Sequence, residues 1–140
     1  MRIEDVMSRH VFAVASAATV LQAAQLMAEN SVGSVVVIKG HRLVGLITDR
    51  DLVTRVLAKG RDPVTTTMHD LLIELMPESG QWPAARPDMD TVSAARLMAE
   101  HGMRRLPVLA ADEVVGIVSI TDLASELNEL LQAVLLEESL

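Results

Sequence analysis

Cysteine is absent from the 140 residues, so neither a disulfide framework nor thiolate chemistry is available. Tyrosine is absent too, and phenylalanine and tryptophan occur once each. Half of the residues are nevertheless apolar, so the core must be aliphatic, built from Val, Leu, Ile, Ala and Met. No stretch approaches the roughly 20 apolar residues of a membrane span. The opening Met1-Arg2-Ile3-Glu4-Asp5 lacks the apolar centre of a signal peptide. A soluble, cytoplasmic protein is expected. The net charge of −7 argues against a nucleic-acid partner, because a phosphate backbone is bound by a basic face. A nucleotide needs only a few local donors and remains compatible with that charge.

Catalytic constellations are missing as well. His10, His41, His69 and His101 form no metal-binding spacing with one another or with a carboxylate cluster, so zinc is not expected. There is no glycine-rich phosphate loop, and no Ser-His-Asp arrangement can be argued. Asp49, Asp51, Asp62 and Asp70 are scattered and read as solvated acids. Neither catalysis nor a required cofactor is expected.

What is present is a repeat. Gly45-Leu46-Ile47-Thr48-Asp49-Arg50-Asp51-Leu52 returns as Gly116-Ile117-Val118-Ser119-Ile120-Thr121-Asp122-Leu123. Gly45 and Gly116, Thr48 and Ser119, and Asp51 and Asp122 are each 71 residues apart. A short apolar run ending in a hydroxyl residue reads as a buried strand feeding a helix, with Thr48 or Ser119 at the N-cap. Free amides and the positive end of the helix dipole favour an anion there. A carboxylate three residues on could accept hydrogen bonds from a sugar diol. The same Ser/Thr-x-x-Asp pattern is also a capping-box-like start that needs no ligand. One copy alone is explained by capping; recurrence at a fixed offset shifts the weight towards a ligand.

Taken in order, Asp5-Val6-Met7 is a short helical turn and Val11–Val14 a short strand. Val20, Ala23, Ala24 and Met27 form one face of a helix capped by Thr19 and ending near Asn30-Ser31. Val35–Ile38 reads as a buried strand, Leu43–Ile47 as its return, and Asp49–Lys59 as a second helix. The second half repeats this: Thr91, Ala94, Ala95 and Met98 on a helix, then Leu106–Leu109 and Val114–Val118 as strands. Leu97-Met98-Ala99-Glu100 matches Leu26-Met27-Ala28-Glu29. An offset this long indicates a duplicated domain. Glu74-Leu75-Met76 resembles Asp5-Val6-Met7 at an offset of 69, which places two inserted residues in the loop Pro77–Pro83. Trp82 in that loop is either packing or a stacking platform for a base. The segment Trp82–Asp88 does not read as a clean strand. Along the tail, Leu123, Leu127, Leu130, Leu131, Val134 and Leu135 form an apolar stripe opposite Glu126, Glu129 and Gln132. Such a stripe needs a cover, either the chain itself or a second subunit.

The β-α-β-β-α unit, the Leu-Met-Ala-Glu helix, Arg104-Arg105-Leu106-Pro107-Val108 and the Gly-apolar-apolar-Ser/Thr-x-x-Asp ending together resemble a tandem pair of CBS (cystathionine β-synthase) domains, a Bateman module. The resemblance spans Asp5 to about Ala124. It implies an α/β fold of two β-α-β-β-α repeats about a pseudo-twofold axis, plus a C-terminal helix. Residues 1–62 and 63–124 would be the repeats and 125–140 the extension. It further implies a regulatory sensor of AMP, ADP, ATP or S-adenosylmethionine, with the nucleotide as regulatory ligand, that signals to a separate effector protein; the homodimer is expected from the apolar stripe of the tail. The family's ribose-binding Asp falls on Asp51 and Asp122, and its phosphate-side hydroxyl on Thr48 and Ser119. Val36, Ile38, Val108 and Leu109 occupy the adenine side, where apolar groups suit a planar base. Arg50, His41 and Arg42, with Arg104 and Arg105 from the other repeat, could supply charge to the phosphates. The alternative is an interaction scaffold whose clefts stay empty.

Overall fold

The computed structural model describes residues 1–138, with side chains as far as Leu136. Ser139 and Leu140, the end of the expected apolar tail, lie outside the described residues. Among the described residues the elements run in the order α1 (Ile3–Val6), β1 (Ala13–Ala15), α2 (Val20–Asn30), β2 (Ser34–Lys39), β3 (Arg42–Thr48), α3 (Asp49–Leu52), α4 (Met68–Leu75), α5 (Thr91–His101), β4 (Arg105–Ala110), β5 (Glu113–Ser119) and α6 (Ile120–Glu138). The segment expected as one helix from Asp49 is α-helical only to Leu52 and π-helical from Val53 to Leu57.

Local chemistry explains the helix limits. Thr19 Oγ1 accepts from the Gln22 amide at 3.2 Å while Gln22 returns a bond to the Thr19 amide at 2.9 Å, a capping box that starts α2. At the equivalent place in the second copy, the Asp90 carboxylate accepts from Ser93 N–H at 2.7 Å. Both helices end on a left-handed residue, Ser31 at φ 53° and Gly102 at φ 61°. Val20, Ala23 and Met27 of α2 are buried against Val35 and Val37 of β2 and Ile47 of β3. Ala94 and Met98 of α5 pack with Leu106, Val108 and Val118. The aliphatic core is therefore two cores, one for each copy.

The sheets show where the copies diverge. In the first, β1 runs parallel to β2 with Val14 opposite Val37, and β2 is antiparallel to β3 with Ser34 opposite Thr48. In the second, β4 and β5 pair, but the third strand shrinks to a single parallel bridge, Ala85 to Val108. The register is kept, since Val14 and Ala85, and Val37 and Val108, are each 71 apart. Ala85 N–H reaches Pro107 O and Leu109 N–H reaches Ala85 O, both at 2.9 Å. Pro83, Pro87 and Pro107 have no N–H to extend the ladder.

The chain divides into two compact units that are not simple halves. One comprises Val11–Trp82 with Ala111–Val114; the other comprises Met1–His10, Pro83–Ala110 and the chain from Val115 onward. The division at 62/63 follows the duplication, whereas these units exchange the helix that leads each repeat. Met68 N–H bonds Ala18 O at 2.9 Å and His69 N–H bonds Ser16 O at 2.9 Å, so α4 docks on the first copy. Ile3 N–H bonds Met89 O at 2.8 Å and Glu4 N–H bonds Pro87 O at 3.0 Å, the same contacts made by α1 on the second copy. The helix starts, Arg2 and Thr67, are 65 apart and the ends, Met7 and Met76, are 69 apart. This refines the expected insertion: α4 has 8 residues to the 4 of α1, one further turn, before the two extra residues of the following loop. Ile3 is fully buried in the second copy's core, and Met68, Leu71 and Leu72 are buried in the first.

A glycine admits each lead segment. A Cβ on Gly116 would sit 2.8 Å from the Ser8 carbonyl oxygen and 2.6 Å from Met7 Sδ. On Gly45 it would meet the Leu72 side chain and lie 3.1 Å from Trp82 Cε3. Trp82, half-buried, is packed on the first core as the packing reading requires, and its Nε1 has no hydrogen-bond partner among the described residues. Gly116→Ala should cost about 1–3 kcal/mol through overpacking, measured by urea denaturation. Gly45→Ala should cost less, because Leu72 can rotate whereas the Ser8 backbone cannot.

Acid should expose two of the caps. Asp70 lies below the ordinary carboxylate value of 3.8, first because the Thr67 amide donates to it and next because of the Thr67 hydroxyl. Asp90 is lowered first by the Ser93 amide and then by the Ser93 side chain. A carboxylate depressed in the folded state stabilises above its unfolded value and loses that contribution as the pH falls through the folded one. The urea midpoint should therefore drop as the pH goes below 3.8, and less steeply in Asp70→Asn and Asp90→Asn.

Candidate functional site

Each copy presents one strand-to-helix junction. In the first, β3 ends at Thr48 in extended conformation, φ −106° and ψ 162°, and α3 begins at Asp49. Thr48 Oγ1 accepts from Asp51 N–H at 3.2 Å. Asp51 Oδ2 accepts from Thr48 N–H at 2.8 Å and from the Thr48 hydroxyl at 2.9 Å. The second junction reproduces this: Asp122 N–H donates to Ser119 Oγ at 3.1 Å and Ser119 N–H to Asp122 Oδ2 at 2.8 Å. The hydroxyl and the acid are thus brought together in both copies, as a capping box. In both, a single carboxylate oxygen, Oδ2, accepts every one of these bonds; among the described residues none goes to Oδ1. Thr48, Asp51, Ser119 and Asp122 are all half-buried, open enough for a ligand to reach.

A backbone bond not anticipated from the sequence locks each junction. Asp49 N–H reaches Gly33 O, and Ile120 N–H reaches Arg104 O, both at 2.9 Å. Gly33 and Arg104 are 71 apart, so the repeat offset was the signal that could have found them. In the second copy the Arg104 carbonyl makes that lock, with the Arg105 side chain half-buried and that of Arg104 exposed. Arg50 is exposed beside the first junction. None of these three guanidinium groups is in an ion pair among the described residues; the pairs lie elsewhere, as in Arg61 to Glu74 at 2.8 Å. His41 and Arg42 sit at the opposite end of the β2–β3 hairpin from Thr48, because Lys39 pairs with Arg42 and Ser34 with Thr48. The five strand steps between those pairs, about 17 Å, remove both from the junction.

The apolar positions separate by face. Val36 and Ile38 lie two and four residues along β2 from Ser34, about 7 and 13 Å by strand rise. Val36 is fully buried and Ile38 half-buried, on the face opposite Val35 and Val37. Leu109 matches Ile38 and is half-buried. Val108 matches Val37, and its side chain is fully buried in the second core. Alternation along a strand turns it away from the face of Leu109.

With this geometry in hand, the similarity to known proteins is specific. The family model described as CBS domain matches twice, over residues 3–58 and 81–129. The chain belongs to the CBS-domain family and is a tandem pair of such domains, a class that is generally regulatory and often ligand-binding. It is 36% identical over 122 residues to CBS domain-containing protein YhcV of Bacillus subtilis (strain 168), covering 87% of this chain and 82% of that protein. The crystal structure of Hypoxic Response Protein I with two coordinated zinc ions superposes with a TM-score of 0.74 at 31% identity, covering 90% of this chain and 98% of that one. The hexameric CBS-CP12 protein from bloom-forming cyanobacteria gives a TM-score of 0.77 at 27% identity, covering 89% and 69%. The two zinc ions are a feature of that neighbour's structure. No helix of the described chain is long and apolar enough to cross a membrane.

The capping role has a measurable consequence of its own. Asp51→Ala leaves the Thr48 amide and hydroxyl without their acceptor, so it should cost about 1–3 kcal/mol. Asp122→Ala strips only the Ser119 amide and should cost less. Chemical denaturation of both variants checks the order.

Proposed function

We propose that the chain is a regulatory module that binds an adenosine nucleotide (AMP, ADP, ATP or S-adenosylmethionine) and passes its ligand state to a separate effector. It would act in the cytoplasm as a homodimer; the hexameric assembly of the CBS-CP12 neighbour supports oligomerisation on this fold. The observation that carries the reading is the recurrence of one junction, in which Asp51 and Asp122 each keep Oδ1 clear of the cap. That oxygen is suited to accept from a ribose diol. Thr48 and Ser119 stand three residues away on the same helical face, at amides suited to phosphate. Val36 and Ile38 in the first copy and Leu109 in the second offer apolar surface for the base; Val108 supports its strand from the core side.

Charge distinguishes the two junctions. The first has Arg50 close in sequence, whereas Arg104 and Arg105 flank the second, so more phosphate should favour the second. The proposed chemistry at both junctions is binding.

Calorimetric titration of AMP and ATP into wild type, Asp51→Ala and Asp122→Ala tests the reading. Losing a charged acceptor should weaken binding about 10-fold or more at the altered junction, since such a bond contributes roughly 1.5–3 kcal/mol. In a thermal-shift panel, ligand at 100 times Kd should add about 2.7 kcal/mol. Equal affinity in all three proteins would remove the two acids as ribose ligands. Absence of binding to wild type would leave the interaction scaffold as the better account.

A further inference from the structure

Helix α6 continues unbroken from Ile120 to Glu138, so the division expected at 124/125 falls inside it. Its described side chains are exposed from Leu127 onward, the expected apolar stripe included. Among them only Leu123 and Glu126, 9% and 7% exposed, are buried. These two anchor a helix of 19 residues.

The first copy shows what stands in those places when the core is purely aliphatic. Leu123 matches Leu52 at the usual offset of 71, but the next buried residue breaks that offset. It is Val56 in the first copy, four positions after Leu52, and Glu126 in α6, three positions after Leu123. The π turn accounts for the extra residue. Ala58 N–H bonds Val53 O and Arg61 N–H bonds Val56 O, each spanning five residues, so the chain winds wider there than in α6. Glu126 is therefore the counterpart of Val56, an acid at a core position.

No hydrogen bond or ion pair joins the Glu126 side chain to a described residue. Helix α6 packs on α1 and α5. The charged residues of α1 are the acids Glu4 and Asp5, and Arg96, Glu100 and His101 of α5 are exposed. Taking a carboxylate from water without a partner is unfavourable, whereas burying a valine is favourable. One of the two anchors of α6 thus opposes its docking. In the first copy both anchors are aliphatic, and Arg55 and Arg61 reach Glu74 of α4 at 3.8 and 2.8 Å.

We propose that α6 is a poised lever: Glu126 holds it near the point of undocking, and a ligand at the second junction draws it down. This rests on the nucleotide reading of that junction. Asp122 lies in the first turn of α6 and Leu109 on β4, so a ligand meeting both bridges helix and sheet only when α6 is docked. Such a ligand shifts the helix towards the docked state, because the undocked state lacks one side of its contacts. The first junction, on firmer anchors, has no comparable freedom.

Amide hydrogen exchange of the full chain, followed by mass spectrometry, tests the lever. Without ligand, amides of residues 123–131 should exchange about tenfold or more slower in Glu126→Val than in wild type. Glu126→Gln, which keeps the size and removes the charge, should fall between the two. AMP and ATP, each at saturation, should slow the same amides in wild type and add little in Glu126→Val. Unchanged or faster exchange in Glu126→Val would overturn the proposal. Nucleotide that binds wild type by calorimetry and leaves these amides unchanged would overturn it too. Slower exchange in Glu126→Val without nucleotide binding to wild type would overturn the nucleotide reading, and the ligand's part with it, while upholding the weak anchor.

Discussion

The amides that open a helix have no partners within it, and in this chain two helices satisfy theirs in the repeat to which they do not belong by sequence. Ile3 and Glu4 donate to Met89 and Pro87; Met68 and His69 donate to Ala18 and Ser16. Everything near the junctions is built on these bonds. They hold Met7 and Ser8 over Gly116, and Leu72 over Gly45, and each of those glycines stands three residues before a junction hydroxyl. Side chains brought in by the same docking, Ile3 on one side and Met68, Leu71 and Leu72 on the other, complete the two cores.

At the junctions one carboxylate is asked to do two things. Through Oδ2 it ends the strand and starts the helix, a role shared with capped helices in general. Through Oδ1 it has the capacity to meet a hydroxyl from outside. The two roles are compatible because a carboxylate has about four acceptor sites, and the cap uses one oxygen only. Stability and affinity are consequently coupled at Asp51 and Asp122, so a loss of folding free energy in a variant says nothing by itself about a ligand.

Much of this was legible in the sequence because it is local. The offset of 71 located the helices, the strands and both junctions, and Thr19 and Ser31 marked the ends of α2 as their chemistry requires. The ownership of the lead helices was not legible: a helix of four residues has no periodicity to read, and its partner, Met89, is far along the chain. The orientation of Val108 was obscured because Pro107 sits within β4, where an apolar run hides the two-residue alternation.

The exchanged helices bear on how such a chain could have arisen. A lone ancestral repeat, carrying its lead helix at its own front edge, would have found the complementary docking site only on another molecule. Its working form would have been a swapped pair of short chains, each lending a helix to the other. Fusing the two genes would turn that intermolecular loan into an intramolecular one and release each core from dependence on concentration. After such a fusion the copies would be free to differ, as α1 and α4 do by one turn and as β1 and the Ala85 bridge do.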